Sequence, residues 1–462
     1  MKLQFDHPRV LDISRAVQVA GGRAFLVGGL VRDRALGAAS EARDYDLEVF
    51  GIDGAALRAI LEKFGKVNAV GESFTVYKLG DIDVSIPRRD SKTGKGHKGF
   101  TVTGDPAMSV EEAARRRDFT INAMLCDPLT GEVVDPHDGL ADLKDRRLRA
   151  VDPATFVEDS LRVLRAMQFA ARFEFTIDPG TMALCRSIPL DDLPSERIWG
   201  EFEKLLLRSR RPSIGLQAGL EMRVMDQLFP DLKALVGCPQ EPSWHPEGDV
   251  WVHTLQAVDL AAGYLADLDY PRQVVVMLGT LCHDLGKPPT TKVIDGRIRS
   301  LDHEEQGIAP TERVLDRLNV HTMDGYDVRR QVVAIVADHL KPGLFSRERD
   351  KVGDAAFRRL ALKCELDLLY RVSKADSLGR KAKGIPDPDS DAQEWFLERA
   401  HSLGVKQEGP KPLLLGRHLL EMGLKPGPKI GEITERVYQL QLDGAVKTLD
   451  DALAAARKLL QP

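Results

Sequence analysis

A chain of 462 residues, 43% hydrophobic and 29% charged, is long enough for about three domains and has the composition of an ordinary globular protein. Its 65 basic and 70 acidic residues give a formal net charge of −5, which excludes a protein that is basic throughout but not one with a local basic groove. No run of about 18 apolar residues occurs and the start, MKLQFDHPRV, has no apolar signal region, so no membrane span is expected and a soluble, cytoplasmic protein is. In chain order, Phe25–Val27, Tyr45–Phe50, Phe74–Leu79 and Ile82–Ile86 read as strands, with a helix near Ala55–Phe64. From about Ala154 to Phe229 the apolar spacing turns helical, over Val157–Phe173, Pro179–Ser187 and Arg197–Leu207. A Pro- and Gly-rich stretch, Gly237–Gly248, separates this from a second helical region running from Val250 to about Lys381. A polar break at Ile385–Asp391 precedes a short helical tail. Strands first and helices afterwards predict an α+β head on a mostly α-helical body.

Five cysteines, Cys126, Cys185, Cys238, Cys282 and Cys364, stand far apart with no CxxC pair. That spacing predicts reduced thiols rather than a disulfide framework or a thiolate zinc site.

The run Phe25-Leu-Val-Gly28-Gly29-Leu-Val-Arg32-Asp33 is an apolar strand entering a Gly-Gly turn and then a helix. Glycines there let backbone N–H groups approach a phosphate at a helix start, with Arg32 within reach of the same group, although a Gly-Gly turn by itself is more often only a turn. Arg43-Asp44-Tyr45-Asp46 follows. Residues i and i+2 of a strand share a face, so Asp44 and Asp46 present paired carboxylates suited to a divalent metal, Mg²⁺. An isolated pair of this kind is more often two solvated acids. Asp81 and Asp83 repeat the i, i+2 pattern, and Asp83 is a candidate third carboxylate.

The order of these parts matters more than any one of them. LVGGLVRD and RDYDLEVFG are followed by Arg116-Arg117-Asp118-Phe119-Thr120-Ile121-Asn122-Ala123, then by Val134-Asp135-Pro136 with Gly139-Leu140 and Asp142-Leu143. Glu158-Asp159-Ser-Leu-Arg162-Val-Leu-Arg165-Ala166 and Glu196-Arg197-Ile198-Trp199 with Glu201-Phe202 complete the series. This ordered set resembles the polymerase-β-type nucleotidyltransferases of the bacterial CCA-adding and poly(A) polymerase family.

The resemblance implies a head that transfers nucleotides to an RNA 3′ end, with Asp44 and Asp46 catalytic and holding Mg²⁺. It implies that Asp159 and Arg162, on one helix face, hydrogen-bond the edge of the incoming base in place of a template strand. Arg165 and Arg117 would meet triphosphate or ribose, beside Gly28, Gly29 and Arg32. The family's arginine series often continues three residues past Arg165, where this chain has Gln168, so no nucleotide contact is assigned there. The Gly-rich basic run from Arg88 to Phe100, with Lys92, Lys95 and Lys98, resembles the family's flexible loop for switching from C to A and reads as a loop rather than an element. A merely solvated basic loop fits its composition equally well.

A second constellation lies downstream: His253, His283-Asp284 within HDLGK, Asp302-His303-Glu304, Asp338-His339 and Asp376. One histidine on an apolar helix is usually a satisfied core residue. Spaced imidazoles and carboxylates converging from several helices suit a divalent metal. The H…HD…D order resembles the HD superfamily of metal-dependent phosphohydrolases, with His253, His283, Asp284 and Asp376 as ligands and His303 and His339 as additional candidates. Such domains on CCA-adding enzymes are associated with phosphatase, 2′-nucleotidase and cyclic phosphodiesterase activities.

The expected protein therefore has a nucleotidyltransferase head over 1–150, a helical neck over 151–236, an HD-type domain over 237–384 and a helical tail over 385–462. The expected activity is addition of CCA to the tRNA 3′ end from CTP and ATP, with Mg²⁺ and a second divalent metal of unassigned identity. A poly(A) polymerase and a CC-only or A-only enzyme share the same motifs. The tail, ending DDALAAARKLLQP, lacks the strongly basic extension of a bacterial poly(A) polymerase. An HD phosphohydrolase whose head only binds RNA is the alternative of another class, and the Asp44/Asp46 pair argues against it. Arg208, Arg210 and Arg211 are candidate phosphate contacts to the RNA. Composition carries no signal for oligomeric state.

Overall fold

The computed structural model describes residues 1–37, 45–70, 76–92, 100–382 and 390–461. The chain packs into two compact units, Met1–Leu205 with Ile214–Leu228, and Leu206–Ser213 with Phe229–Pro462. Among the described residues, no helix is long and apolar enough to cross a membrane.

The first unit is built on a seven-stranded sheet. Its strands are β1 (Arg23–Val27), β2 (Tyr45–Phe50), β3 (Asn68–Val70), β4 (Val76–Leu79) and β5 (Ile82–Ser85), with β6 (Arg88–Lys92) and β7 (Phe100–Gly104) forming a separate hairpin. β8 (Leu125–Cys126) and β9 (Val133–Val134) complete the order β3-β4-β5-β2-β1-β8-β9. The pleat divides β2 between two faces: Leu47 and Val49 are fully buried, whereas Asp46 is exposed and Glu48 half-buried. The Leu47 face is covered by the helix Pro8–Val19, which turns Val10, Ile13 and Val17 inward at helical spacing. On the other face Phe25 and Phe50 meet edge-on, 5.7 Å between ring centres, and pack with Met108, Ala113, Ala114 and Leu125. That packing brings the helix Val110–Arg115, and Arg117 just beyond it, to the open end of the Asp46 face.

Four helices or helical turns follow: Pro153–Phe156, Leu161–Phe173, Pro179–Ser187 and Ser195–Leu207. The expected helix from Val157 begins instead at Leu161. Its N–H is taken by the Asp159 carboxylate at 3.1 Å, and a side-chain acceptor of this kind competes with continuing the preceding helix. Phe119 stands edge-on to Phe156 and to Phe169, at 5.6 and 5.7 Å, and so ties these helices to the head. The basic run at Arg88 is a correction of another kind. Its flanks are not loop but the β6–β7 hairpin, paired from Arg88↔Gly104 to Lys92↔Phe100, and residues 93–99, with Lys95 and Lys98, lie outside the described residues. Main-chain pairing in antiparallel register overrides a composition that reads as loop.

The second unit is helical. Val250–Ala262, Tyr270–Cys282, Val328–Asp338 and Leu366–Leu378 pack against one another, and Val274–Cys282 is buried throughout. Asp249 starts the first of these helices, accepting from Val252 N at 2.9 Å and from Gly237 N at 2.6 Å. The region read as helical contains two strand pairs as well, Thr291–Ile294 with Arg297–Ser300 and Thr322–Met323 with Tyr326–Asp327. Asp295 and Asp324 take left-handed backbone conformations, each followed by a glycine, and such pairs make hairpin turns. Helices Pro428–Leu442 and Leu449–Leu460 close on a separate small cluster around Leu419, Ile433, Val437 and Ala456.

Candidate functional sites

At the head, Gly28 ends β1 with φ +72°, a left-handed conformation that glycine adopts without strain, and the helix Gly29–Ala35 begins directly after it. A Cβ on Gly28 would stand 3.4 Å from Arg117 Nη1, so the turn and this guanidinium border one space. Arg117 donates to Glu48 Oε2 at 3.3 Å. Glu48 shares its strand face with Asp46, and Asp46 is in register with Asp83 on β5. Lys78 donates to both oxygens of Asp83, at 2.7 and 3.0 Å. Three carboxylates thus share one sheet face next to the Gly28 turn. Asp44, the other member of the expected pair, lies outside the described residues. Oxygen donors of this type suit Mg²⁺.

Arg32, expected to reach a phosphate, is only 4% exposed. It gives Nε to Asp33 at 2.8 Å and Nη1 to Asn122 Oδ1 at 2.6 Å, and it lies over the Phe173 ring at 4.5 Å. Burial lowers its pKa, partly offset by Asp33. Arg165 is similarly engaged: Nε donates to Asp118 at 2.6 Å. Burial pushes the Asp118 carboxyl up, but Arg165, Asn122 and the Phe119 N–H outweigh it and hold the group below the ordinary carboxylate value. Asp118 and Asn122 of the RRDFTINA run are therefore the hub on which Arg32 and Arg165 are braced.

Asp159 and Arg162 do not pair with each other. Arg162 donates to two main-chain carbonyls, Thr155 O and Arg116 O, both at 2.7 Å. Asp159 receives Arg197 Nη2 on both oxygens at 3.2 Å. Sequence reasoning assigned Arg197 to a motif but gave it no contact. Gln168 is 1% exposed and its Nε2 has no hydrogen-bond partner among the described residues, so it is a core residue. Two other motif acids are structural. Asp142, with no exposure, accepts from Arg147 Nε at 2.7 Å, Arg149 Nε at 2.8 Å and Thr120 Oγ1 at 2.6 Å. Asp135 accepts from Gly139 N and Leu140 N at 2.7 and 2.9 Å.

In the second unit the expected ligands do converge. His253 Nε2 lies 3.1 Å from Asp376 Oδ1 and 3.3 Å from His283 Nε2, and His283 Nε2 lies 3.2 Å from Asp284 Oδ2. His283 Nδ1 faces Thr280 O at 2.7 Å, and His253 Nδ1 faces Glu247 Oε1 at 2.8 Å. A His283 Nδ1–H directed to Thr280 O leaves that ring's lone pair on Nε2, beside His253 Nε2 and the carboxylates of Asp284 and Asp376. A divalent cation among them would relieve that repulsion, so the donor set fits one. Burial pushes Asp284 and Asp376 up. For Asp284 it is outweighed by His283 and Lys287, for Asp376 by Arg380 and the histidines, and both are held well below the ordinary carboxylate value. Lys287 Nζ, 2.8 Å from Asp284 Oδ2, also donates to Gln240 at 2.7 Å. Glu247, on the stretch read only as a linker, was missed. Burial raises it, but His245 and His253 bring it down to about 2. It precedes His253 by six residues across a helix start, a spacing without periodic signal.

Gly286 of HDLGK has a steric role. A Cβ there would lie 1.9 Å from His303 O, so only glycine lets the two segments meet. A cavity of about 630 Å³ opens on this centre, with Trp244, Lys287, Arg299, Arg347 and Arg380 among its walls.

Comparison with known proteins bears on the family and the fold. Residues 24–149 match the poly(A) polymerase head domain, and residues 174–235 match the probable RNA and SrmB-binding site of polymerase A. The multifunctional CCA protein of Stenotrophomonas maltophilia strain R551-3 is 36% identical over 427 residues, 89% of this chain and 96% of that one. In fold, the chain is similar to the Bacillus stearothermophilus CCA-adding enzyme in complex with CTP, with a TM-score of 0.62 and 21% identity over 97% and 96% of the two chains. The Thermotoga maritima CCA-adding enzyme complexed with tRNA gives a TM-score of 0.59 at 20% identity, over 98% and 96%. With a polymerase-β-like head in its first unit and identity of this level over 89% of its length, the chain belongs to the multifunctional CCA protein family of nucleotidyltransferases.

Proposed function

We propose that the chain adds CCA to the tRNA 3′ end from CTP and ATP, and that its second centre hydrolyses phosphate esters. The observation that carries the first part is the carboxylate face of β2 set against the Gly28 turn and Arg117. On this reading the head spans 1–150 and the neck 151–236, with the HD-type domain over 237–384 and the tail over 385–462.

Asp44 and Asp46 hold Mg²⁺, which supplies activation of the primer 3′-OH and neutralises charge on the triphosphate. The backbone at Gly28 and Gly29 and the Arg117 guanidinium receive phosphate oxygens. Asp159 and Arg162 offer an acceptor and a donor group to the base edge, which requires each to leave its present partner. Arg32 and Arg165 act through Asp118 and Asn122, holding the RRDFTINA segment under the nucleotide. In the second unit His253, His283, Asp284 and Asp376 hold a divalent cation, which supplies an activated water for hydrolysis. Lys287 and Arg380 balance the two carboxylates, and the basic cavity wall suits a phosphate-bearing ligand. The relatives' name, multifunctional CCA protein, accords with two centres in one chain.

The test is incubation with Mg²⁺, CTP and ATP on tRNA transcripts ending before CCA, after C and after CC. Stepwise addition stopping at CCA, lost in Asp46→Asn, is expected. Long A tails, or CC or A alone, would make the chain a poly(A) polymerase or a partial enzyme. No incorporation would sink the reading.

A further inference from the structure

Among the described residues Trp244 is the one exposed aromatic ring, 56% open to solvent. It lines the cavity of the second unit, as does Leu301, 58% open. Apolar surface left wet in a concave wall marks ligand sites. The indole is held in place there. Trp244 N and His245 N both donate to Glu241 O, at 3.0 and 2.9 Å, and Glu241 Oε2 accepts from Ile298 N at 3.2 Å. The turn that carries Trp244 is thus tied to the strand Arg297–Ser300, and Arg299 of that strand lines the same cavity. Arg299 Nε is buried with no hydrogen-bond partner among the described residues. Lys287 and Arg380 of the same wall, by contrast, already pair with Asp284 and Asp376, at 2.8 and 3.2 Å. A guanidinium donor left without an acceptor in a cavity wall suits a phosphate oxygen.

Gln393 supplies an independent observation. It stands in the first turn of the helix Asp391–Ser402, is 6% exposed and lines the cavity, and its Oε1 has no donor among the described residues. A buried amide oxygen in that state is rare enough to require an explanation, and an N–H brought by a ligand is one. A flat π-face for the indole, an N–H for the Gln393 oxygen and a phosphate oxygen for Arg299 occur together in a nucleotide whose base carries an exocyclic amine. A simple phosphate ester has only the last. The cavity, about 630 Å³, is within the range of small-molecule sites, roughly 300–1,000 Å³.

We propose that Trp244, Gln393 and Arg299 form a nucleotide-reading subsite in this cavity: the indole stacks on the base, the Gln393 oxygen accepts from its exocyclic amine, and Arg299 meets the phosphate. None of the three is a metal ligand. Hydrolysis of the bound phosphate rests on the phosphohydrolase reading above; recognition of the base does not.

The experiment is calorimetric titration of the full chain with adenosine 2′-phosphate, with purine riboside 2′-phosphate, which lacks the amine, and with ribose 5-phosphate, which lacks the base. Isotherms are fitted to one site in the head and one in the cavity. At the cavity, Trp244→Ala is expected to weaken both nucleotides by about 10-fold or more, the scale of one stacked base, and to leave ribose 5-phosphate unchanged, with Trp244→Phe restoring most of the loss. Gln393→Leu is expected to erase a roughly 5- to 10-fold preference for adenosine over purine riboside, and Gln393→Glu, which keeps an acceptor, to retain it. Arg299→Ala weakens all three ligands. Nucleotide affinity unmoved by Trp244→Ala, an equal loss for ribose 5-phosphate, or a parent indifferent to the amine overturns the inference. Thermal melting reports whether each variant folds, and if Gln393→Leu does not, the Trp244 variants decide. An RNA ending in the same adenosine 2′-phosphate separates the two sources of this chemistry: tighter binding than the free nucleotide, with the same dependence on Trp244, identifies a chain end, and weaker binding identifies a free nucleotide, either of which keeps the subsite. Phosphate release is followed in parallel. Base-dependent binding without release keeps the subsite and sinks the phosphohydrolase reading, whereas release from all three ligands alike, indifferent to Trp244, does the reverse.

Discussion

Glu247 Oε1 lies 2.8 Å from His253 Nδ1, and neither residue's side chain has any exposure to solvent. The carboxylate lies beside the ring nitrogen turned away from the proposed metal position, where its charge favours a proton on that nitrogen and a lone pair on the other. Glu247→Gln is expected to weaken Mn²⁺ binding by about 10- to 100-fold, the usual effect of removing such a support. Equilibrium dialysis measures it. Unchanged affinity would show that His253 is oriented by packing alone.

Gly286 meets His303 O at a distance no side chain can share. Gly286→Ala must push apart the HDLGK turn and the start of His303–Gln306, displacing His303 and Asp284 together. The expected cost is about 1–3 kcal/mol or more, seen as a lower melting temperature of the second unit and loss of bound metal. A variant that melts and binds metal as the parent does would contradict the packing.

Arg197 holds Asp159 by both carboxylate oxygens. Without it Asp159 is free to turn, and under the proposed role of Asp159 base discrimination depends on its direction. Arg197→Ala is expected to raise misincorporation of U or G relative to C by on the order of tenfold, about 1.4 kcal/mol in the transition state. Single-nucleotide kinetics on each primer read it. A fall in kcat with fidelity intact would assign Arg197 to the fold instead.

Asp142 is an unexposed charge between Arg147 and Arg149, with Thr120 as a further donor. Removing its charge takes the shared acceptor away from two part-exposed guanidinium groups. Asp142→Asn is expected to destabilise the head by roughly 1–2 kcal/mol, the scale of charge-assisted hydrogen bonds whose cationic partners remain open to water. Urea unfolding followed at the head decides it, and a change below about 0.5 kcal/mol would refute the clamp.

Asp118 stays ionised below the ordinary carboxylate pKa, because Arg165, Asn122 and Phe119 N–H outweigh its burial. As pH falls, the unfolded chain takes up that proton before the folded one does. The stabilisation is thus complete above about pH 5 and is lost progressively below about pH 4 as pH falls through the folded value. Asp118→Asn is expected to be less stable at pH 7 and to show a flatter decline in acid. Parallel acid-unfolding curves would exclude Asp118 as a source of the acid sensitivity.

Much of this protein is readable from spacing alone, because period and local chemistry are properties of neighbouring residues. The alternation in Tyr45–Phe50 places Asp46 opposite Leu47, and the strand has that form. The helix Pro179–Ser187 runs over the span its apolar spacing indicates. His253, His283, Asp284 and Asp376 meet because they occupy buried positions of helices, or turns at helix ends, that pack against one another. What each motif side chain contacts depends on residues brought together from far along the chain, and no periodicity encodes that. Arg32 is drawn inward by Asn122, 90 residues away, and Asp159 is held by Arg197, 38 residues away. Glu247 lies in a stretch whose prolines and glycines signal only a break, and its place behind His253 follows from where the helix Val250–Ala262 starts. The Arg88 hairpin became a pair of strands because its two arms satisfy each other's main-chain hydrogen bonds, a pairing that the basic, Gly-rich composition of the run from Arg88 to Phe100 does not announce.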